Sequence, residues 1–227
     1  MVLVTTAGWS ATDGTLQRYA REEGGPWQTV GEPVPVVVGR SGLGWGRGLH
    51  GAPPVGRGPV KAEGDGRAPA GAFRLSAAFG YGDSLATGLP YVATPGLQCV
   101  DDRASASYNR VRAVPADPDW TSHETMRRRD GLYRIGVVVA HNGPGLDPAL
   151  VPGAALAGEA PVAGGGSCIF LHVWRGPGTS TAGCTAMPDA RLAEVLAWLD
   201  ADAEPVLVQL PVAQAQRLHE AWGLPPL

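Results

Sequence analysis

Short apolar runs separated by glycine and proline extend through the whole chain of 227 residues. The 33 glycines and 21 prolines lie between these runs instead of forming one block. Glycine permits the positive φ of tight turns and proline interrupts helices, so this spacing favours many short strands. The sequence therefore predicts a mainly β fold. With 44% hydrophobic residues the chain can bury a sizeable core, and we expect a single domain over residues 1–227.

Residues 132–140 and 167–174 are the most strand-like stretches, and we expect both to be central strands. In residues 167–174, period-two alternation places the even-numbered side chains, from Cys168 to Trp174, on one face. His172 lies on that face between aromatic residues. Burial there should lower its pKa and keep the imidazole neutral, as a general base must be.

Other parts of the chain carry simpler signals. Residues 2–6 indicate a first strand, and Asp13-Gly14 indicates a hairpin turn. Pro188 is predicted to begin an amphipathic helix that ends near Asp200, and residues 212–222 a short helix that Gly223 stops. Residues 42–58 are interpreted as a glycine-rich loop and residues 147–166 as a mobile insertion that could act as a lid.

The sequence Thr181-Ala182-Gly183-Cys184 follows the His172 strand after a Gly/Pro turn. Cysteine is an effective nucleophile once a neighbouring base removes its proton. A strand followed by a tight turn can bring a thiol and an imidazole together. We therefore predict that Cys184 and His172 are catalytic. The backbone N–H groups around Gly183 and Thr185 are the expected oxyanion donors.

Two segments together resemble the YkuD-type L,D-transpeptidases, bacterial cell-wall enzymes with a catalytic cysteine. The first is the Ser/Thr-x-Gly-Cys pattern at residues 181–184, preceded by a strand histidine. The second, residues 64–73, is similar to the family's upstream Thr-Pro-x-Gly-x-Phe/Tyr segment, with Ala68 in place of threonine. Two departures stand out. Thr185-Ala186 follows the cysteine where the family usually has Ile/Val-Arg, and the His172–Cys184 interval of 12 positions is short.

The resemblance implies a β-sandwich or barrel domain whose family-like core spans about residues 30–210. It implies a peptidoglycan L,D-transpeptidase: the cysteine would form a thioester with one stem peptide and pass the acyl group to an amine of another. It requires no metal or organic cofactor. Its partners would be donor and acceptor stem peptides, and its location the cell envelope. We expect a monomer.

Five further residues are candidates for binding substrate. Arg175 is a candidate to replace the missing arginine charge, and Trp174 and Thr181 adjoin the predicted pair. His141 and Asn142 end the strand at residues 132–140 before a glycine turn, a position that often faces a pocket. A strand-end histidine is nevertheless more often a satisfied structural group, and that alternative stays open.

The three cysteines, Cys99, Cys168 and Cys184, leave one thiol unpaired if two of them are oxidised. The mechanism needs Cys184 free, whereas three reduced cysteines are the alternative. A net charge of −3 gives no basic footprint for nucleic acid. No run is long and apolar enough for a transmembrane helix, and the N-terminal sequence lacks the features of a signal peptide.

Three alternative functions remain open at this point. A hydrolase would use the same Cys-His pair with water as acceptor. A non-catalytic wall-binding domain would have lost its chemistry along with the missing arginine. A metalloprotein would use His141, His172 and Cys184 as ligands.

Overall fold

The structure is a computed structural model that describes residues 1–51, 58–152 and 159–226. Fourteen strands are described: β1 Val2–Thr6, β2 Asp13–Ala20, β3 Gln28–Val37, β4 Leu43–Trp45, β5 Ala68–Gly80, β6 Tyr91–Ala93, β7 Leu97–Val100, β8 Arg110–Ala113, β9 His123–Thr125, β10 Ile135–Val139, β11 Gly145–Leu146, β12 Phe170–Val173, β13 Thr185–Met187 and β14 Val206–Pro211. Two α-helices are described, α1 Asp189–Trp198 and α2 Val212–Trp222, together with the 3₁₀ turns Pro148–Leu150 and Ala201–Ala203.

The larger sheet closes on itself. Its pairing order is β10-β12-β13-β3-β2-β1-β14-β5, and β5 pairs back to β10. Closure leaves no edge among these eight strands, as in small barrels whose interior is filled by side chains. β4 and β6 pair with β5, and β11, β8, β7 and β9 form a second sheet. The predicted mainly β class is confirmed, and the sheet is barrel-like.

The alternation predicted around His172 is visible in the packing. Ile169, Leu171 and Val173 join a core cluster that includes the buried face of α1, whereas Cys168 and Phe170 join a second cluster with Cys184. β10 is central, because it is paired with β5 on one side and β12 on the other. The strand before His172 is shorter than predicted, since Cys168 has a φ of +56° and interrupts the extended backbone.

Both predicted helices are confirmed, and α2 ends at Gly223, which has the positive φ typical of a helix C-terminus. The hairpin turn predicted at Asp13-Gly14 is wrong, because these residues open β2 and Gly14 pairs with Thr6 and with Val36. The predicted loop at 42–58 and insertion at 147–166 lie partly outside the described residues, at 52–57 and 153–158. No described helix has the length and apolarity that a bilayer crossing requires.

Candidate active site

Parallel pairing of β12 with β13 brings the predicted catalytic pair to one cavity. His172 is the register partner of Ala186, and Cys184 lies two residues before Ala186, so the two side chains leave neighbouring strands on the same face. Both line a cavity of about 630 Å³. The two groups therefore share one cavity, and no hydrogen bond joins them among the described residues, because each is bonded to backbone groups.

Cys184 is a free, buried thiol. Its Sγ donates to the Cys168 carbonyl at 3.3 Å and accepts from the Phe170 backbone N–H at 3.4 Å. Burial, and secondarily the charge of Glu124, raises the pKa of Cys184 to about 12. The thiol is therefore protonated at neutral pH in the free protein, and a base must remove its proton before it can act as a nucleophile.

His172 is neutral and its tautomer follows from one contact. The ring Nδ1 lies 2.7 Å from the Val173 carbonyl, which can only accept, so Nδ1 carries the proton. Burial lowers the pKa of His172 to about 4, which leaves Nε2 unprotonated as a base. Tyr133 packs edge-on against the ring, with centroids 5.2 Å apart. The orienting group is thus a backbone carbonyl.

Tyr133 and Glu124 complete the interior of the cavity, and the sequence analysis did not single them out. The Tyr133 hydroxyl donates to Glu124 Oε2 at 2.5 Å. Burial raises the pKa of the Glu124 carboxyl, and burial followed by the charge of Cys184 raises the pKa of Tyr133. A negative charge on Glu124, Tyr133 or Cys184 therefore disfavours a negative charge on the other two groups.

Lys61, the chain's single lysine, also lines this cavity. It is buried, and its Nζ donates to the Ala62 carbonyl at 2.8 Å and to Asp65 Oδ1 at 2.7 Å. Its charge acts to lower the pKa of Cys184 against the larger effect of burial. The lysine therefore places a fixed positive charge near the thiol.

The turn before Cys184 is held by Thr181. The Thr181 hydroxyl donates to the Cys184 carbonyl at 2.6 Å and accepts the Gly183 N–H at 3.1 Å. The Gly183 N–H predicted as an oxyanion donor is consequently already paired, and that prediction needs correction. The Thr181 hydroxyl is occupied by these hydrogen bonds within the turn. The predicted role of Thr181 in binding substrate through that hydroxyl therefore does not fit the structure.

The two segments that carry the family resemblance meet next to the thiol. The Thr185 hydroxyl donates to Gln209 Oε1 at 2.6 Å, and Gln209 Nε2 donates to the Pro69 carbonyl at 2.9 Å. A Cβ at Gly183 would lie 3.1 Å from the Arg67 carbonyl, so the backbones approach closely. Residues 64–73 therefore support the turn that presents Cys184, and Thr185 acts through its side chain as a structural tie.

Trp174 and Arg175 lie on the wall of the same cavity, as predicted. Trp174 is half-buried. The Arg175 guanidinium is exposed and contacts Asp130 at 3.0 Å, and Asp130 also binds Arg128 at 2.7 Å. The two arginines and their shared carboxylate form a charged rim, with one net positive charge.

His141 and Asn142 lie away from this cavity, and their predicted place at the site is wrong. His141 accepts the Arg47 N–H at Nδ1 and donates from Nε2 to the Gly165 carbonyl. The Asn142 amide binds the backbone of residues 162 and 166. Both are satisfied structural groups that fix the strand end, the alternative left open above. Alternation could not separate the two roles.

The cysteine alternative is resolved in favour of a Cys99–Cys168 disulfide. Asn109 secures this region: its Oδ1 accepts the Cys168 N–H at 3.0 Å, and its Nδ2 donates to the carbonyls of residues 141 and 142 at 2.8 Å each. Because the Cys168 carbonyl holds the Cys184 thiol, the disulfide and Asn109 position that thiol indirectly.

In the described part of the chain, no three His, Cys, Asp or Glu residues are grouped to hold a metal ion. The trio His141, His172 and Cys184 does not converge, since His141 lies elsewhere. Comparisons with protein-family models, with curated proteins and with solved structures found no match to this chain. The assignment of function therefore depends on the site itself.

The two buried histidines make stability sensitive to acid. Burial lowers the pKa of His172 to about 4 and that of His141 to about 3, from an ordinary 6.5. Between pH 6.5 and pH 4 the unfolded chain binds protons that the folded chain does not, so stability falls as pH falls. These two groups should contribute a slope of up to about 2.7 kcal/mol per pH unit in the free energy of unfolding.

Urea denaturation between pH 7 and pH 4 measures this slope. The variant His172→Gln removes one of the two groups and should lower the slope by up to about 1.4 kcal/mol per pH unit. The variant His219→Gln changes a histidine in the last turn of α2, outside the Cys184 cavity, and it serves as the control. Equal slopes in wild type and His172→Gln would contradict a neutral, buried His172.

Proposed function

We propose that this protein is a cysteine-dependent acyltransferase of the L,D-transpeptidase type, acting on peptidoglycan stem peptides. The observation that carries the proposal is that a free thiol and a neutral imidazole line one cavity. The imidazole is fixed in the tautomer that leaves Nε2 able to accept a proton. Catalytic hydrogen bonds often tighten only when substrate is bound, so the backbone-bonded thiol of the free protein is compatible with this role.

In the proposed reaction, the Cys184 sulfur bonds to the donor carbonyl carbon while His172 Nε2 takes the thiol proton. His172 then gives that proton to the leaving amine as the carbon–nitrogen bond breaks, and a thioester remains. An acceptor amine attacks the thioester, the carbon–sulfur bond breaks, and the proton released by the amine returns to the thiolate through His172. Excluding water from the buried thioester favours transfer over hydrolysis.

Carboxylates on the cavity wall support an amine as the acceptor. Glu63, Asp101 and Glu124 all line the cavity. Glu63 accepts from two hydroxyls and Glu124 from one, whereas buried Asp101 Oδ1 has no hydrogen-bond partner among the described residues. A buried carboxylate oxygen without a partner is costly, and an ammonium group of the acceptor would satisfy it.

Product analysis tests the proposal. Wild-type protein is incubated with a tetrapeptide stem ending in D-alanine, with and without a diamino-acid acceptor, and the products are identified by mass spectrometry. Transfer predicts a cross-linked product and equimolar D-alanine only when the amine is present. The variant Asp101→Asn should raise the KM for the amine and leave donor binding unchanged. Release of D-alanine that is independent of the amine would indicate the hydrolase instead.

A non-catalytic wall-binding domain is the second candidate, and the protonation of the thiol favours it. A buried thiol whose pKa is raised to about 12, and whose Sγ donates to the Cys168 carbonyl, resembles an inert buried cysteine. This candidate predicts binding to isolated wall sacculi with no turnover of any stem peptide. Turnover in the experiment above would exclude it.

A further inference from the structure

A second cavity, as large as the first at about 630 Å³, lies where both α-helices end. Aromatic side chains from four separate parts of the chain line it: Tyr19 of β2, Trp27 before β3, Trp198 at the end of α1 and Trp222 at the end of α2. All four are half-buried, so their rings form walls that remain accessible. We refer to these residues as the aromatic cavity. It shares no lining residue with the Cys184 cavity.

The three tryptophans of the aromatic cavity contribute indole N–H groups, which can only donate hydrogen bonds. Trp27 donates its indole N–H to the Gly223 carbonyl at 2.8 Å. The indole N–H groups of Trp198 and Trp222 meet no protein acceptor within the described residues, so both remain available as donors. A cavity that is lined by aromatic rings and also holds indole donors suits a ligand with both apolar and hydroxyl surfaces.

The charges around the cavity argue against a strongly charged ligand. Arg21, Asp200 and Glu204 line it. Arg21 lies over the Trp27 ring at 4.2 Å, Glu204 pairs with Arg74 at 3.1 Å, and the Asp200 carboxylate accepts the Asp202 N–H at 3.0 Å. Among the described lining residues Arg21 is the one full cation, because burial lowers the pKa of the Met1 α-amino group to about 6, and the two carboxylates outnumber Arg21 and would repel a phosphate.

A purely apolar ligand fits poorly as well. An alkyl chain would remove two indole N–H groups and the carboxylates from water without providing partners, at a cost of about 1–3 kcal/mol for each unsatisfied group. A sugar ring avoids this cost, because its C–H face stacks on an aromatic ring while its hydroxyls accept from indoles and donate to carboxylates. Carboxylate lone pairs that the protein does not use remain open to such bonds.

We propose that the aromatic cavity binds a neutral oligosaccharide through stacking on Trp198 and Trp222. This binding does not depend on Cys184, and it goes beyond the acyl transfer proposed above. If both activities are present, the same chain holds a glycan at one cavity and transfers an acyl group at the other. Each can fail without the other.

Isothermal titration calorimetry tests the proposal with two neutral probes, tri-N-acetylchitotriose and cellotriose. The titrations use the Cys184→Ala variant as well as wild type, so loss of thiol chemistry has no bearing on the result. We expect saturable binding of at least one probe. Trp198→Ala and Trp222→Ala should each weaken it by about tenfold or more, the loss typical of a removed aromatic anchor. Trp222→Phe, which keeps the stacking but removes the N–H, should weaken it less.

Trp120→Ala is the matched tryptophan control, because Trp120 lines neither cavity and donates its indole N–H to Gln98 at 2.9 Å, and it should leave the sugar affinity unchanged. Absence of binding to both probes would overturn the proposal, as would binding that survives both tryptophan-to-alanine changes. Saturable binding of decanoate without sugar binding would indicate a lipid site instead. Concentration-dependent dimerisation that Trp222→Ala abolishes would indicate a surface between two copies, and it would also overturn the proposal.

Discussion

Replacement of Cys184 by alanine is expected to reduce the proposed acyl transfer by roughly 10⁴- to 10⁶-fold, because it removes the thiol on which the proposed thioester forms. Since Cys99 and Cys168 are joined in a disulfide, no other described cysteine carries a thiol that could substitute. The measurement is the rate of D-alanine release from a tetrapeptide stem in the presence of an amine acceptor. A covalent adduct formed with a carbapenem, located by peptide mapping, provides a second readout.

Controls separate chemistry from folding in this experiment. Ser180→Ala changes another small polar residue on the wall of the same cavity and should retain most activity. His172→Ala should lose about 10²- to 10⁴-fold, the usual contribution of a general base. Thermal unfolding of each variant shows whether the fold is kept. Full turnover by Cys184→Ala, or an adduct that forms on another residue, would exclude the thioester mechanism.

Local patterns in the sequence were sufficient for the elements around the site. The apolar stripe after Pro188 gave α1, and period-two alternation assigned the two faces of the strand that carries His172. The Gly/Pro turn before Cys184 indicated that the strand carrying His172 and the Cys184 segment lie close together. Asp13-Gly14 misled, because a dipeptide that suits a turn also fits the start of a strand when its partner strand allows close backbone contact. Thr5 of β1 lies beside Gly14 of β2, and a Cβ at Gly14 would be only 2.5 Å from the Thr5 carbonyl oxygen.

Closure of the barrel was beyond sequence reasoning, since it depends on pairings between distant segments. β1 pairs in parallel with β14, some 200 positions away, and β5 pairs with β10 although β6 to β9 lie between them in the sequence. No periodicity encodes which of many compatible strands will be neighbours. The resemblance supplied the expectation of a sandwich or barrel. That expectation remains a likeness in pattern, and the structure establishes only the barrel-like sheet.

The electrostatic partners of the thiol could not be predicted for the same reason. Glu124 lies on the short strand β9 and Tyr133 just before β10, and neither position carries a motif. Lys61 belongs to no motif in the sequence, because a single lysine among arginines has no local signature. Its burial beside Asp65 and the cavity is a product of tertiary structure. His141 and Asn142 show the opposite error. Their position at a strand end suggested a binding site, but their side chains form hydrogen bonds with backbone groups.

Loss of the Cys99–Cys168 disulfide is expected to lower the free energy of unfolding by about 4 kcal/mol. The crosslink closes a loop with a sequence separation of 69, and constraining a loop of that length removes much of the entropy of the unfolded chain. Both cysteines are buried in the cluster that holds Cys184. The double variant Cys99→Ala/Cys168→Ala is preferred, because a single replacement would leave a new thiol in the cluster that holds Cys184.

Urea denaturation with and without a phosphine reductant measures this effect. Reductant should lower the midpoint for wild type and for Cys184→Ala by the same amount, and it should have no effect on the double variant. Because the Cys168 carbonyl accepts from the thiol at 3.3 Å, the double variant should also alkylate faster at Cys184 as this contact loosens. A stability loss below about 1 kcal/mol would contradict the assigned contribution of the crosslink. Unchanged alkylation would show that the sulfur is held by its strand neighbours alone.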